Sequence, residues 1–576
     1  MANFSSKLFS VAAAAMVFAG IAAAQAPLGC TATTPQGASL VRAEGTTETV
    51  AEVSLTCSNA TSASPGGNAT FSVFIGPSNV PVTSRVISSS TNSTEALAIV
   101  TSVSPQGTSA GSWTSVVQGT VTPGSSSITF TNVVLPATPA GTTVYVTFAN
   151  IRINASVLAT NAGGVPPSVT ETVFSAGQVV QTQTQSTVAF VQKGLSNPTL
   201  NGALLSGATT GATNFVICQT ITNNAAAFYV HLGENFSTAF KFGTVANAAL
   251  GTEFSGNSEA AIAATVNSGI GTATFGTRVT VTLSNIPANV AVYLPTSVSD
   301  DVTAINSPGL PGVTVLRATS SATGALAPIS PSTASGAPAG YLAATVSGGT
   351  ATVIYEFAAG LTGVAPGVPT TGAQASSTVD SFSIPVVFRQ TTANTIPATN
   401  SSVTALASLS PVGSTAFPNF AATTNTSLNG SKFNNCTTSL LFPFVTNASG
   451  FDTGMAISNT SADPFGTANQ PGTCTLNFYG TGAPTAFTTT SVAAGSAYTN
   501  LASTVSPGFQ GYMIAQCAFQ YAHGFAFITD GFGGPGRGLS QGYLAGVIQD
   551  VNQTNGARQA TDPSRQGSGL GEVLGH

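Results

Sequence analysis

Runs of six to eight residues in which Val, Thr, Ile and Phe alternate with small or polar side chains recur along the chain, and they constrain its fold more than any other feature. Ala69–Ile75 (ATFSVFI), Ser127–Val134 (SITFTNVV), Thr142–Phe148 (TTVYVTF), Arg278–Leu283 (RVTVTL), Ala351–Phe357 (ATVIYEF) and Ser381–Phe388 (SFSIPVVF) are examples, each bounded by Gly, Pro, Asn or Ser clusters. β-Branched and aromatic side chains at period two suit a pleated, half-buried surface, so each run reads as a strand. Helical periodicity is scarce; Ser93–Thr101 and Ser258–Val266, where alanine and glutamate gather, are the short helix candidates. The expectation is an all-β protein of several antiparallel β-sandwiches, immunoglobulin-like or similar, with little helix.

Length and composition divide the chain. An internal repeat aligns Gly141–Leu158 (GTTVYVTFANIRINASVL) with Gly276–Tyr293 (GTRVTVTLSNIPANVAVY) without gaps, with nine identities in 18 positions. Each copy reads as a strand, an Asn-Ile corner (Asn150-Ile151, Asn285-Ile286) and a second strand, so two related β modules are expected. The first spans residues 27–192 and the second 193–412. The polar string 413–435 reads as a linker, 436–550 as a C-terminal β domain, and the glycine-rich 551–576 as a flexible tail.

Charge is unusually sparse. Thirteen Lys+Arg and 18 Asp+Glu make 5% of 576 residues, against about 25% in ordinary soluble domains. Without a basic patch to displace counterions, nucleic acid is excluded as a partner. A net charge of −5 spread over this length opposes close association weakly, which favours copies of the chain itself or neutral surface polymers as partners. A hydrophobic content of 42% is the opposite of a disorder signature.

Residues 1–26 combine one cation (Lys7), an alanine-rich apolar run from Leu8 to Ala24 and the small-residue pattern Ala24-Gln25-Ala26. They read as a secretory signal peptide, which makes the chain secreted, extracellular or at the cell surface. No later segment is apolar for long enough to form a spanning helix after cleavage. Six cysteines in an exported chain favour disulfides. Cys30 with Cys57 would close the edge of the first module. In Thr473–Tyr479, Cys474, Leu476 and Phe478 share one strand face, and Cys517 shares a face with Phe519, Tyr521, His523, Phe525 and Phe527. Both cysteines thus face the apolar side, as a core Cys474–Cys517 bridge requires. Cys218 and Cys436 are left as a remaining pair or as free thiols.

Leu40–Cys57 (LVRAEGTTETVAEVSLTC), Leu440–Gly454 (LLFPFVTNASGFDTG) and Cys517–Phe527 resemble segments of uncharacterised secreted bacterial all-β proteins. The resemblance covers about a third of the chain and implies a bacterial, extracytoplasmic origin without a known activity.

Candidate chemistry is thin. Phe451-Asp452-Thr453-Gly454 repeats the FDTG string of pepsin-like proteases, but those enzymes need a second such carboxylate to share a proton. Gly538-Leu539-Ser540-Gln541-Gly542 and Gly107-Thr108-Ser109-Ala110-Gly111 match GxSxG, which requires a strand before it and a helix after it; Ser540 has a glycine loop before it and a strand-like run after it. Glu44, Glu48 and Glu52, with Arg42, share one strand face, read as solvated. Asp300-Asp301 and Asp463 read as turn residues without a calcium loop. His523 reads as a core histidine. Trp113, the single tryptophan, is a candidate for ligand stacking. No catalytic, cofactor-binding or metal site is assigned. The expectation is a secreted structural or adhesive protein without catalytic activity, with extracellular glycan or ligand binding as the alternative and a hydrolase with an unrecognised site behind both.

Overall fold

The computed structural model describes residues 27–34, 37–102, 113–158, 165–177, 179–181, 185–200, 212–216, 221–236, 239–241, 273–301, 314–359, 379–390, 402–423, 425–434, 436–465, 467, 469–531 and 538–548. They form an all-β protein of largely antiparallel sheets. Among the described residues, helical structure takes the form of short turns such as the 3-10 turn Ala155–Val157 and the α turn Ala502–Val505. Among the described residues no helix is long and apolar enough to cross a membrane. Residues 1–26, read as a signal peptide, residues 551–576, read as a tail, and the helix candidate 258–266 lie outside the described residues.

Twelve strands between Leu28 and Gln192 join one sheet, and Glu48–Thr49 and Arg152–Ile153 pair separately as a two-stranded sheet. The strand Val179–Gln181 pairs at one end of the strand order, while its chain neighbours Ser168–Gly177 and Gln185–Gln192 pair near the other, so the sheet curls over a shared core. Phe71 and Phe130 both pack on Phe148 there, at centroid distances of 5.5 and 5.3 Å. Ser93–Thr101, expected as a helix, is a strand between Thr143–Ala149 and Trp113–Thr120. Residues 94–101 are all buried, so both faces are covered and the 3.6-residue pattern has no solvent side to serve. Glu95, which favoured the helix locally, accepts from Arg152 Nε at 2.8 Å.

A second core gathers residues from Leu195 to Cys436 between a five-stranded and an eight-stranded sheet. The repeat is visible in the backbone. Asn150 and Asn285 both take left-handed φ values, 59° and 60°, and the following Ile151 and Ile286 are both buried. Past that corner the copies diverge into the 3-10 turn in one and the strand Ala291–Pro295 in the other.

The string read as a linker is largely structured. Leu428–Asn434 pairs with Ser402–Ser410 as a further strand of the second sheet system. Phe417 and Phe420 are buried, with Arg85 and Arg152 over the first ring and Arg42 over the second. Backbone bonds from Thr46 N to Asn419 O (2.9 Å), Ala421 N to Glu44 O (2.8 Å) and Thr274 N to Phe417 O (2.7 Å) strap the first and second units together. Three phenylalanines, Phe417, Phe420 and Phe433, in an otherwise largely polar string supply the burial that a free linker lacks.

The third core lies between a five-stranded sheet, ordered Phe487–Thr488, Cys474–Thr481, Gln510–Cys517, Thr438–Thr446, Gly546–Val547, and a four-stranded sheet, ordered Ala497–Leu501, Asp452–Asn459, Ala522–Thr529, Ser540–Leu544.

Candidate binding surfaces of the C-terminal domain

Cys474 and Cys517 sit directly opposite each other on neighbouring strands, fully buried and disulfide-bonded. Cys30 and Cys57 do the same in the first unit. Cys436 is also disulfide-bonded, and Cys218 lies outside the described residues.

After Cys517 the chain leaves the five-stranded sheet, turns through Ala518–Tyr521 and enters the four-stranded sheet at Ala522. Tyr521 turns the corner with φ 59°. The turn inverts the parity expected for an unbroken strand: Ala522, Gly524 and Ala526 face the core, and His523, Phe525 and Phe527 point outward. His523 is therefore half-buried on the outer face and is no core histidine.

On that outer face, cross-strand rows run Leu501, Gly454, Phe527, Gly542 and Thr499, Ala456, Phe525, Leu544. The small Gly454 and Ala456 beside Leu501, Phe525 and Phe527 leave an open groove of about 380 Å³, to which Thr499, Asn500 and Thr504 add polar groups. Gly542 is a glycine for space, since a Cβ there would lie 2.9 Å from the Phe525 ring.

The outer face of the five-stranded sheet carries a second feature that strand parity alone did not single out. Tyr479 and Tyr512 are directly opposite, 45% and 43% exposed, and their rings stack at 5.0 Å with 13° between planes. Beside them Asn477 Nδ2 donates to Gln516 Oε1 at 3.4 Å. Gly480 and Gly511 are also paired opposite each other, and a Cβ on Gly511 would lie 2.0 Å from the Tyr479 carbonyl oxygen. The sequence signal was present in TCTLNFY and QGYMIAQC, but only the register brings the two rings together.

The FDTG strand, the His523 strand and the GLSQG strand are neighbours in the four-stranded sheet. Thr529 lies between Asp452 and Ser540 in one row. His523 pairs with Ser458, six residues along the strand from Thr529, or about 20 Å at ~3.3 Å per residue. That is far outside the reach a general base needs. Asp452 accepts from the backbone N–H groups of Thr453 and Ser503. Gly107–Gly111 lies outside the described residues.

The acidic face of the first unit is no solvated stripe. Glu48 is buried against Arg42, and burial raises the Glu44 carboxyl against the lowering effect of the Gly194 N–H bond. Arg152–Glu95 and Arg278–Glu356 are two further buried pairs. Asp300 and Asp301 are buried as well. Asp301 Oδ2 accepts from Ser383 Oγ (2.8 Å) and approaches His231 Nδ1 (3.4 Å), which in turn meets Ser383 Oγ (3.1 Å). Serine and aspartate thus meet the same ring nitrogen, so the histidine does not stand between them as a relay requires. Glu234 is pushed up to about 7 mainly by burial, opposed by N–H bonds from Phe240 and Asp380. Among the described residues no group of three or more His, Cys, Asp or Glu has metal-holding geometry. Asp463 closes its own turn on Phe465 and Thr467, and the Thr467 hydroxyl lowers its carboxyl. Trp113 is half-buried, packed with Val116 on Leu97, Ile99 and Ala149.

No known protein family matches the chain, and no curated protein matches it. Among solved structures, a chain titled BspA_C_mut is similar at 8% identity with a TM-score of 0.24, covering 70% of this chain and 99% of that one. Similarity of that size carries no argument about fold or role.

Proposed function

We propose that the chain is an exported, non-catalytic structural or adhesive protein of the cell surface or extracellular space. One observation carries the reading: in the C-terminal domain the buried Cys474–Cys517 bridge ties two neighbouring strands of one sheet, and uncharged aromatic surfaces turn outward on both sheets. Exposed apolar patches held on a rigid scaffold mark interaction sites, and disulfides persist in oxidising compartments. The separation of His523 from Ser540 and the single-nitrogen geometry at His231 favour binding over hydrolysis. Ligand capture without a structural role is the second reading, favoured by the paired Tyr479 and Tyr512.

Fractionation of producing cells tests the proposal. The mature chain, lacking residues 1–26, should appear in the surface or culture-medium fraction, and cells lacking it should attach less to surfaces or to one another. An intact N-terminus in the cytoplasm would overturn it. So would turnover in a broad hydrolase screen that Ser540→Ala or Asp452→Ala abolishes.

A further inference from the structure

We infer that the outer face of the five-stranded C-terminal sheet is a binding platform for a neutral polysaccharide, with Tyr479 and Tyr512 as its stacking residues. The inference deepens the reading above and rests on it for the setting in which such polymers are met.

Preorganisation comes first. The two strands that carry the tyrosines are covalently tied at Cys474–Cys517. One residue beyond the tyrosines they are pinched by the opposed Gly480 and Gly511, where only a missing Cβ allows the approach. The rings are held parallel between these two fixed points rather than collapsing onto the sheet. A ligand therefore meets a surface whose ordering cost is already met.

The chemistry of the face selects the ligand. By the alternation of the two strands, Tyr479 and Tyr512 share it with Thr475, Asn477, Thr481, Gln510 and Gln516, and with one aliphatic side chain, Ile514, opposite Asn477. Flat aromatic rings beside hydroxyl and amide groups match a ligand with C–H faces and a rim of hydroxyls, which is a pyranose chain. Charge narrows the choice further. From Cys436 to Ile548 the sequence holds four charged residues, Asp452, Asp463, Asp530 and Arg537, and none belongs to these two strands. Anionic polymers are recognised by clustered Arg or Lys, so a neutral polymer is the complement.

Area argues against a second copy of the chain. Two tyrosines, each about half exposed, offer on the order of 200 Å², whereas a stable protein interface buries about 800 Å² per partner. The patch is the size of a few sugar units.

The test uses the full mature protein on cellulose, a β-1,3-glucan and dextran, with alginate as the anionic control, at low and high salt. Retention on at least one neutral glucan, insensitive to salt, is expected. Tyr479→Ala with Tyr512→Ala should weaken it about tenfold or more, while the Tyr→Phe pair, which keeps both rings, should stay within about threefold; unchanged circular dichroism and melting confirm that the variants fold. Three outcomes overturn the inference: no retention on any of the three glucans, alanine and wild-type proteins retained alike, or retention on alginate alone. Loss of a dimer in light scattering by the alanine pair, without a change on glucan, would assign the face to self-association and overturn it too. Secretion and attachment that survive the alanine pair, with glucan retention also intact, would sink this inference and leave the structural reading standing. A cytoplasmic chain that still binds glucan through the tyrosines would do the reverse.

Discussion

Arg42 and Glu48 form an ion pair at 2.7 Å with both side chains 1% exposed, and the same guanidinium donates to the Ala239 carbonyl and to Thr277 Oγ1 in the second unit. Its plane lies over Phe420, 4.9 Å from the ring centroid. One arginine thus joins the first unit, the second and the strap between them. Removing one partner of a buried pair leaves a charge without compensation, so Glu48→Ala should destabilise by about 3–5 kcal/mol. Thr277→Val removes the acceptor of both the Arg42 guanidinium and the Lys241 backbone N–H and should cost about 2–3 kcal/mol. Urea unfolding followed by far-UV circular dichroism measures both; a cost below about 1 kcal/mol for Glu48→Ala would show that the pair does not hold the units together.

Glu171 lies in the core of the first unit with no hydrogen-bond partner at either carboxyl oxygen, and burial pushes it up to about 8. Its ordinary value is 4.5, so between the two the folded chain holds a proton that the unfolded chain releases. Stability of this unit is then fully present below about pH 4.5 and declines as pH rises toward 8, by up to about 1.4 kcal/mol per pH unit. Glu171→Gln cannot titrate and should flatten this slope. Melting curves from pH 5 to 9 decide the matter, since parallel wild-type and variant profiles would place the pH dependence elsewhere.

Local pattern carried the strands, the Asn-Ile corners and the facing of Cys474 and Cys517, because each depends on residues adjacent in sequence or on strict alternation. It failed where a distant partner decided the outcome. Glu95 suggested a helix until Arg152, 57 residues on, claimed it across a sheet. Glu48 looked solvated until the fold closed over Arg42. His523 was placed inward by counting parity through a turn that Tyr521 breaks. Of the candidate platform, the Tyr479 strand was legible, whereas its pairing with Tyr512 is a register between segments more than 30 residues apart. The His231, Ser383 and Asp301 contact had no local cue at all.

Gly511 tests the pinch beside the tyrosines. A methyl group there would meet the Tyr479 carbonyl oxygen at 2.0 Å, and Gly480 opposite it occupies φ 143°, which L side chains rarely adopt. Gly511→Ala must spread the two strands or expel the Tyr479 backbone, and should destabilise the C-terminal domain by about 1–3 kcal/mol. Because the strands separate at the tyrosines, the fluorescence of the stacked pair should change as well. A variant with unchanged stability and unchanged spectrum would mean that the backbone relaxes freely there and that the rings are not held by this contact.

The disulfide at the other end of the same strands makes a complementary prediction. Cys474 and Cys517 close 43 residues, for which the chain-entropy account gives about 4 kcal/mol; the 27-residue Cys30–Cys57 closure gives about 3.5 kcal/mol. Replacing Cys474 and Cys517 together by serine should lower the unfolding transition of the C-terminal domain and leave that of the first unit in place, because the two have separate cores. Replacing Cys30 and Cys57 should do the opposite. Calorimetry that resolves the transitions provides the check, and a uniform shift of every transition by either pair would show that the domains unfold as one body.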